Sequence, residues 1–181
     1  MICLWWMGQG RFDGELMEHV RSHLEASFGA PVAPGRRAGW PAGAHDPARG
    51  QHASGRLLDW LAAQRPPEAE RVLGVCVEDL FIPVLTFVFG EAMLDGPAAV
   101  VSTSRLADDS GGGERPGLLR SRLAKECAHE LGHTFGLLHC PRRACVMARS
   151  AGVAEVDSKG STFCRDCRLL LESSNQRGAA P

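Results

Sequence analysis

No tyrosine occurs anywhere in the 181 residues, and aromatic residues make up only 6% of the chain. Any polar role a phenol would fill must fall to another donor or to water. No block of basic residues is dense enough to form a nucleic-acid face, because 20 Lys and Arg are balanced by 21 Asp and Glu. Arg36-Arg37 and Arg142-Arg143 are isolated pairs of the kind found in solvated loops. No apolar run approaches the roughly 20 residues needed to cross a bilayer. The apolar start, Ile2 to Met7, lacks a positive leader and a small-residue cleavage site, which argues against a signal peptide. No internal repeat is present. These absences leave one soluble domain, expected in the cytoplasm, with no nucleic-acid or membrane partner and no sign of an obligate oligomer.

Cysteine is not lacking. In a reducing compartment seven cysteines suggest metal binding before disulfides. Cys140, Cys145, Cys164 and Cys167 crowd into the C-terminal quarter, spaced C-x4-C and C-x2-C. Two chelating pairs joined by a loop suit a closed, tetrahedral structural zinc site. An iron–sulfur cluster is the competing reading, since four thiolates alone do not exclude iron. Cys3, Cys76 and Cys127 lie in apolar runs and are expected to be buried thiols acting as small hydrophobes.

The most informative stretch runs from His129 to His139 and reads HExxHxxGxxH. On a helix His129 and His133 project from one face, one turn apart, so both imidazoles can reach one ion. Gly136 can adopt a left-handed conformation that ends the helix and lets His139 return as a third ligand. Three protein ligands with one position left open is the pattern of a catalytic zinc. Glu130 lies beside the ligands, where its carboxylate can act as general base toward a metal-bound water instead of binding the metal itself. The alternative is an ordinary surface helix with exposed histidines and an exposed carboxylate.

Residues 2–7 read as a strand buried on both faces. Phe12 to Phe28 carries Phe12, Leu16, Val20, Leu24 and Phe28 at a helical spacing. Gly29 to Gly50 reads as a long surface loop with room for a short strand. Ser54 is placed to cap a second helix that must stop before Pro66-Pro67. Arg71–Val77, Phe87–Phe89 and Ala98–Ser104 read as strands, Asp108–Gly113 as a flexible connection, and about Pro116 to Gly136 as a helix with Leu119, Leu123, Cys127 and Leu131 on one face. Early alternation of strands and helices, then a helix and an irregular metal-bound segment, predicts the α+β class with a mixed sheet.

With these residues in hand the chain resembles the archaemetzincins, zinc peptidases of the metzincin clan. The resemblance rests on the third histidine running directly into Cys140, then Cys145, Met147, Cys164 and Cys167. It extends to Asp46-Pro47 with Arg49 and Gln51, Phe87 to Ala92, Val100-Val101-Ser102 with Arg105-Leu106, and Asp157 with Lys159. It implies a compact single-domain metzincin-like fold, an upper part over about 1–136, a lower part over about 137–175 and a flexible tail over 176–181. It also implies Met147 in a Met-turn beneath the metal, two zinc ions per chain, a peptide or protein substrate and a monomer. The segment Val100 to Arg105 resembles the edge strand on which metzincins lay an extended peptide; a plain structural strand is the other reading. Two departures stand out: 16 residues separate Met147 from Cys164, about one fewer than expected, and His52 stands where an aromatic residue is usual. The alternatives to a peptidase are a two-zinc peptide-binding module with little hydrolysis and an amidase for non-peptide substrates.

Overall fold

Six consecutive apolar residues, Ile2–Met7, form β1, and all six are buried. In this computed structural model, which describes residues 1–8, 10–37, 39–107 and 116–178, β1 has parallel neighbours on both sides. That placement explains an unbroken apolar run in place of alternation. Helix α1 is Gly14–Phe28. It begins two residues later than its apolar spacing suggests, because Asp13 caps it by accepting from the Leu16 N–H at 3.0 Å. Phe12, left outside, is exposed and meets the edge of Trp6.

The stretch 29–50, expected to be a loop with room for a short strand, holds β2, Val32–Arg37, a full parallel partner of β1. Pro34 and Gly35 obscured it. A proline is tolerated there because β2 is an edge strand and its second side has no ladder to lose. Next come β3, His45–Asp46, and β4, Gln51–Ala53, then α2, Ser54–Gln64. Ser54 does not cap α2 as expected; its hydroxyl donates to the Phe81 carbonyl at 3.0 Å. Strand β5, Arg71–Cys76, is central, and β6, Leu80–Phe81, joins β4 and β3 in a small second sheet. Phe87–Phe89 is not a strand; Val88 makes one bridge to Leu80, and the strand β7 follows at Gly90–Ala92. Strand β8 is Ala98–Ser102.

The main sheet has the order β2-β1-β5-β8-β7, parallel except for antiparallel β7. This order corrects one expectation: β8 is no edge but is paired on both sides and fully buried, and the edge is β7. Side chains alternate across the sheet. Ile2, Leu4 and Trp6 face a core shared with α1, while Cys3, Trp5 and Met7 face α2 through Leu57, Leu58 and Leu61.

Helix α3, Pro116–Thr134, packs beside α1 with Leu123, Cys127 and Leu131 wholly buried. Two helices follow in the stretch expected to be irregular: α4, Val153–Ser158, and α5, Arg165–Gly178. Helix α5 carries the backbone into the expected tail, of which 179–181 lie outside the described residues, as does the expected connection 108–113. Charges tie α4 to α3. Arg122 forms a fork to Asp157 at 2.7 and 2.8 Å, and Lys125 donates to the carbonyls of Val156 and Asp157. The mixed sheet with its packed helices is the α+β arrangement expected. Among the described residues no helix is long and apolar enough to cross a membrane.

Candidate active site and metal centres

The last two turns of α3 carry His129 and His133, and the chain then reverses at Gly136, whose φ of 82° only glycine adopts without strain. The reversal returns His139, so that the three rings stand 4.7, 5.2 and 5.0 Å apart between centroids. The Nε2 atoms of His129 and His133 are 3.1 Å apart. Nitrogens held about 2.0–2.1 Å from one tetrahedral ion lie roughly 3.3 Å from each other, so this spacing is that of two ligands of one metal. The other nitrogens explain the orientation. His129 Nδ1 lies 2.9 Å from the Val146 carbonyl, and His133 Nδ1 lies 2.6 Å from the Leu137 carbonyl. A proton on each Nδ1 would donate to those carbonyls and leave the Nε2 lone pairs free for an ion. Burial pushes all three imidazoles below their usual range, His129 furthest, which favours the neutral form that a metal ligand needs.

Glu130 is buried and lines a cleft of about 350 Å³ together with His129 and His139. Burial pushes its carboxyl well above the usual range, the nearby Glu126 adds to the rise, and the Lys159 ammonium opposes it. Its neighbour across the cleft is Gly90 in β7. A Cβ there would fall 2.7 Å from Glu130 Cγ and 2.6 Å from the Val100 carbonyl, so only glycine lets the edge strand close on the carboxylate. The wall continues through Leu85 to Phe89 on one side and Arg149 to Ala151 on the other.

Met147 is fully buried with its sulfur against α3 at Gly132, where a Cβ would come within 2.6 Å of Sδ. Its carbonyl accepts from the Cys140 N–H at 2.9 Å. Cys140, Cys145, Cys164 and Cys167 form the second cluster, with all sulfurs within 4.8 Å of one another and Cys140 Sγ 3.8 Å from Cys164 Sγ. Thiolates about 2.3 Å from one tetrahedral ion stand roughly 3.8 Å apart. A cluster that gives each thiolate a different iron would spread them wider, so the spacing fits a single ion. The Cys167 backbone N–H, at the start of α5, draws the Cys164 thiol down to about 7, which favours the ligating thiolate. Cys3, Cys76 and Cys127 are buried in apolar surroundings, as expected.

Further residues take part, of which only Lys159 is signalled in the sequence, through the family resemblance and with no role attached. Lys159, buried, reaches Glu126 at 2.7 Å and stands 3.4 Å from His129 Nδ1. This ion pair spans 33 positions, and neither residue is marked by a local pattern. Arg149 and Ser150 lie just past Met147 and line the cleft, with no local pattern to mark them.

Residues 67–173 match the family model described as Peptidase family M54. The chain is 42% identical over 173 residues to the archaemetzincin of Methanopyrus kandleri, covering 92% of this chain and 95% of that one. The crystal structure of archaemetzincin from the same organism is similar with a TM-score of 0.87 at 40% identity, covering 98% of this chain and 96% of that chain. A zinc-dependent peptidase from Methanocorpusculum labreanum is similar with a TM-score of 0.85 at 31% identity, covering 94% and 100%. Two donor clusters with zinc spacing, a glutamate set between two of the imidazoles and similarity over nearly the whole length converge: the chain belongs to the archaemetzincins, the zinc metallopeptidases of family M54.

Proposed function

We propose that His129, His133 and His139 hold the catalytic zinc, that Cys140, Cys145, Cys164 and Cys167 hold a structural zinc, and that Glu130 is the general base of peptide hydrolysis. The observation that carries this reading is the convergence of three imidazoles, each turned to offer a free nitrogen, beside a buried carboxylate in one cleft. When bound at the histidines, zinc supplies Lewis acidity toward a water and toward the substrate carbonyl. Glu130 takes a proton from the attacking water at its carboxylate as the new C–O bond forms. It then delivers that proton to the departing amine as the C–N bond breaks. Gly90 and the free edge of β7 align an extended peptide through backbone hydrogen bonds. The sealed setting of Glu130 keeps bulk water from competing for its proton. The chain works as a monomer of one domain, with 1–136 forming the upper part and 137–178, through the end of α5, the lower part, and its free thiols suit the cytoplasm.

Replacing Glu130 tests the assignment. In Glu130→Ala, metal analysis of freshly prepared reduced protein should give two zinc ions per chain, as in wild type. Hydrolysis, read by mass spectrometry on a peptide library, should fall by roughly 10²–10⁴-fold. Peptide affinity should persist. A variant that cuts at the wild-type rate removes Glu130 from the mechanism, and one that loses zinc makes it a ligand.

A further inference from the structure

The cleft contains an acceptor-seeking group that the hydrolytic mechanism leaves unused. Arg149, two residues beyond Met147, is exposed and lines the same cleft as His139 and Glu130. Among the described residues it makes no hydrogen bond or ion pair, and it is the only Arg or Lys on the cleft wall. Arg142, Arg120 and Arg105 are engaged with Asp166, Glu15 and Asp79, and of the exposed arginines without such a partner Arg149 is the one that lines the cleft. The adjacent Ser150 adds a second, independent observation. Its hydroxyl oxygen is sealed from solvent in the cleft wall and has no hydrogen-bond partner among the described residues. Unpartnered buried donors are rare and call for an acceptor. Leu85 and Phe87 to Phe89 line the cleft without charge, and its two carboxylates are Glu126, paired with Lys159, and Glu130, neither of which is bonded to Arg149. A guanidinium fork selects planar, bidentate acceptors, of which a carboxylate is the one a peptide carries.

From this arrangement we infer that Arg149, assisted by the Ser150 hydroxyl, binds a carboxylate of the substrate close to the scissile bond and so gives the peptidase a preference for acidic peptides. The inference rests on the peptidase reading above. Two sources share that chemistry, an Asp or Glu side chain and a free C-terminus. Arg149 is a specificity residue in this scheme: it touches substrate but moves no proton and breaks no bond.

The test uses zinc-loaded Glu130→Ala protein, which binds peptides without consuming them, and fluorescein-labelled hexapeptides. The peptides carry Asp or Glu, or their amide counterparts, at each position in turn, and each is made with a free or an amidated C-terminus. An acidic peptide should bind about tenfold tighter than its uncharged counterpart, the low end for a charge-assisted hydrogen bond at a partly exposed site. Added salt should narrow that gap. A gap that follows the side chain identifies Asp or Glu as the ligand, and one that follows the free C-terminus identifies the chain end. Adding Arg149→Ala should abolish the gap, Arg149→Lys should keep part of it, and Ser150→Ala should narrow it. In protein that keeps Glu130 and turns over, the same preference should appear in KM and not in kcat. No acidic preference in the parent protein, or one that survives Arg149→Ala, overturns the inference. Equal loss of kcat for charged and neutral peptides in Arg149→Ala also overturns it, by assigning Arg149 to the developing oxyanion. If zinc-loaded protein binds no peptide and wild type cuts none, the peptidase reading falls as well.

Discussion

Replacing Lys159 by methionine tests the buried ion pair behind the histidines. The Lys159 and Glu126 side chains are only 2% and 4% exposed and lie 2.7 Å apart. Methionine keeps the unbranched stem and removes the charge, so packing changes little and electrostatics dominates. Breaking a buried pair typically costs about 3–5 kcal/mol because the remaining charge is left uncompensated. For a chain of this length each kcal/mol lowers Tm by roughly 2–4 °C, so the expected drop is about 6–20 °C. Protonation of Glu126 limits the loss, and this gives the variant a pH signature. Burial raises the Glu126 carboxyl while Lys159 lowers it, so removing Lys159 raises it further. A carboxyl whose folded pKa lies above its unfolded value binds more protons in the folded state, so stability falls as pH rises. The deficit against wild type should therefore be larger at pH 8 than at pH 5.5. The double variant Glu126→Leu with Lys159→Met should recover most of the loss, because replacing both partners by apolar groups is often neutral or better. Thermal unfolding followed by circular dichroism on zinc-loaded protein measures all three. A Lys159→Met variant within about 1 kcal/mol of wild type, or a double variant whose loss is the sum of the singles, would refute the reasoning.

Cys164→Ser should lower Tm more than His139→Ala, since structural zinc is worth about 10–16 kcal/mol of apparent binding energy in small domains; equal melting points would count against dividing the two metals into structural and catalytic. Gly90→Ala should cost about 1–3 kcal/mol through overpacking between the Val100 carbonyl and Glu130, with zinc retained. Turnover in that variant should fall more than stability does, and unchanged kinetics would show that β7 has room to spare.

The histidine motif could be read from sequence because its geometry is local: one helical turn and one glycine reversal set every ligand of that centre. Strands β1, β5 and β8 were visible for a related reason, since burial on both faces leaves only apolar residues to choose from. The order of strands was not readable. That β7 and not β8 forms the edge depends on pairing between segments whose register no short window contains. Strand β2 was hidden because an edge strand tolerates Pro34 and Gly35, the residues that mark loops elsewhere. Helix α5 is not readable from sequence because the C-x2-C spacing of Cys164 and Cys167 suits a metal-binding loop as well as a helix start. The Glu126–Lys159 pair depends on α4, whose six residues carry little periodicity.

Between His139 and Met147 the backbone serves both centres: Cys140 donates to the Met147 carbonyl, and the carbonyl of Val146, next to Cys145, orients His129. With the roles proposed above, this shared loop sets a timetable. During synthesis the helix bearing two histidines leaves the ribosome long before Cys164 and Cys167. The loop lacks an anchor until those last thiols arrive and are metallated. Hydrolytic competence is therefore the final property the newborn chain acquires, and a chain clipped before Cys164 never acquires it. The same dependence exposes the mature enzyme to oxidants, which can disarm it by consuming thiols while every imidazole stays intact.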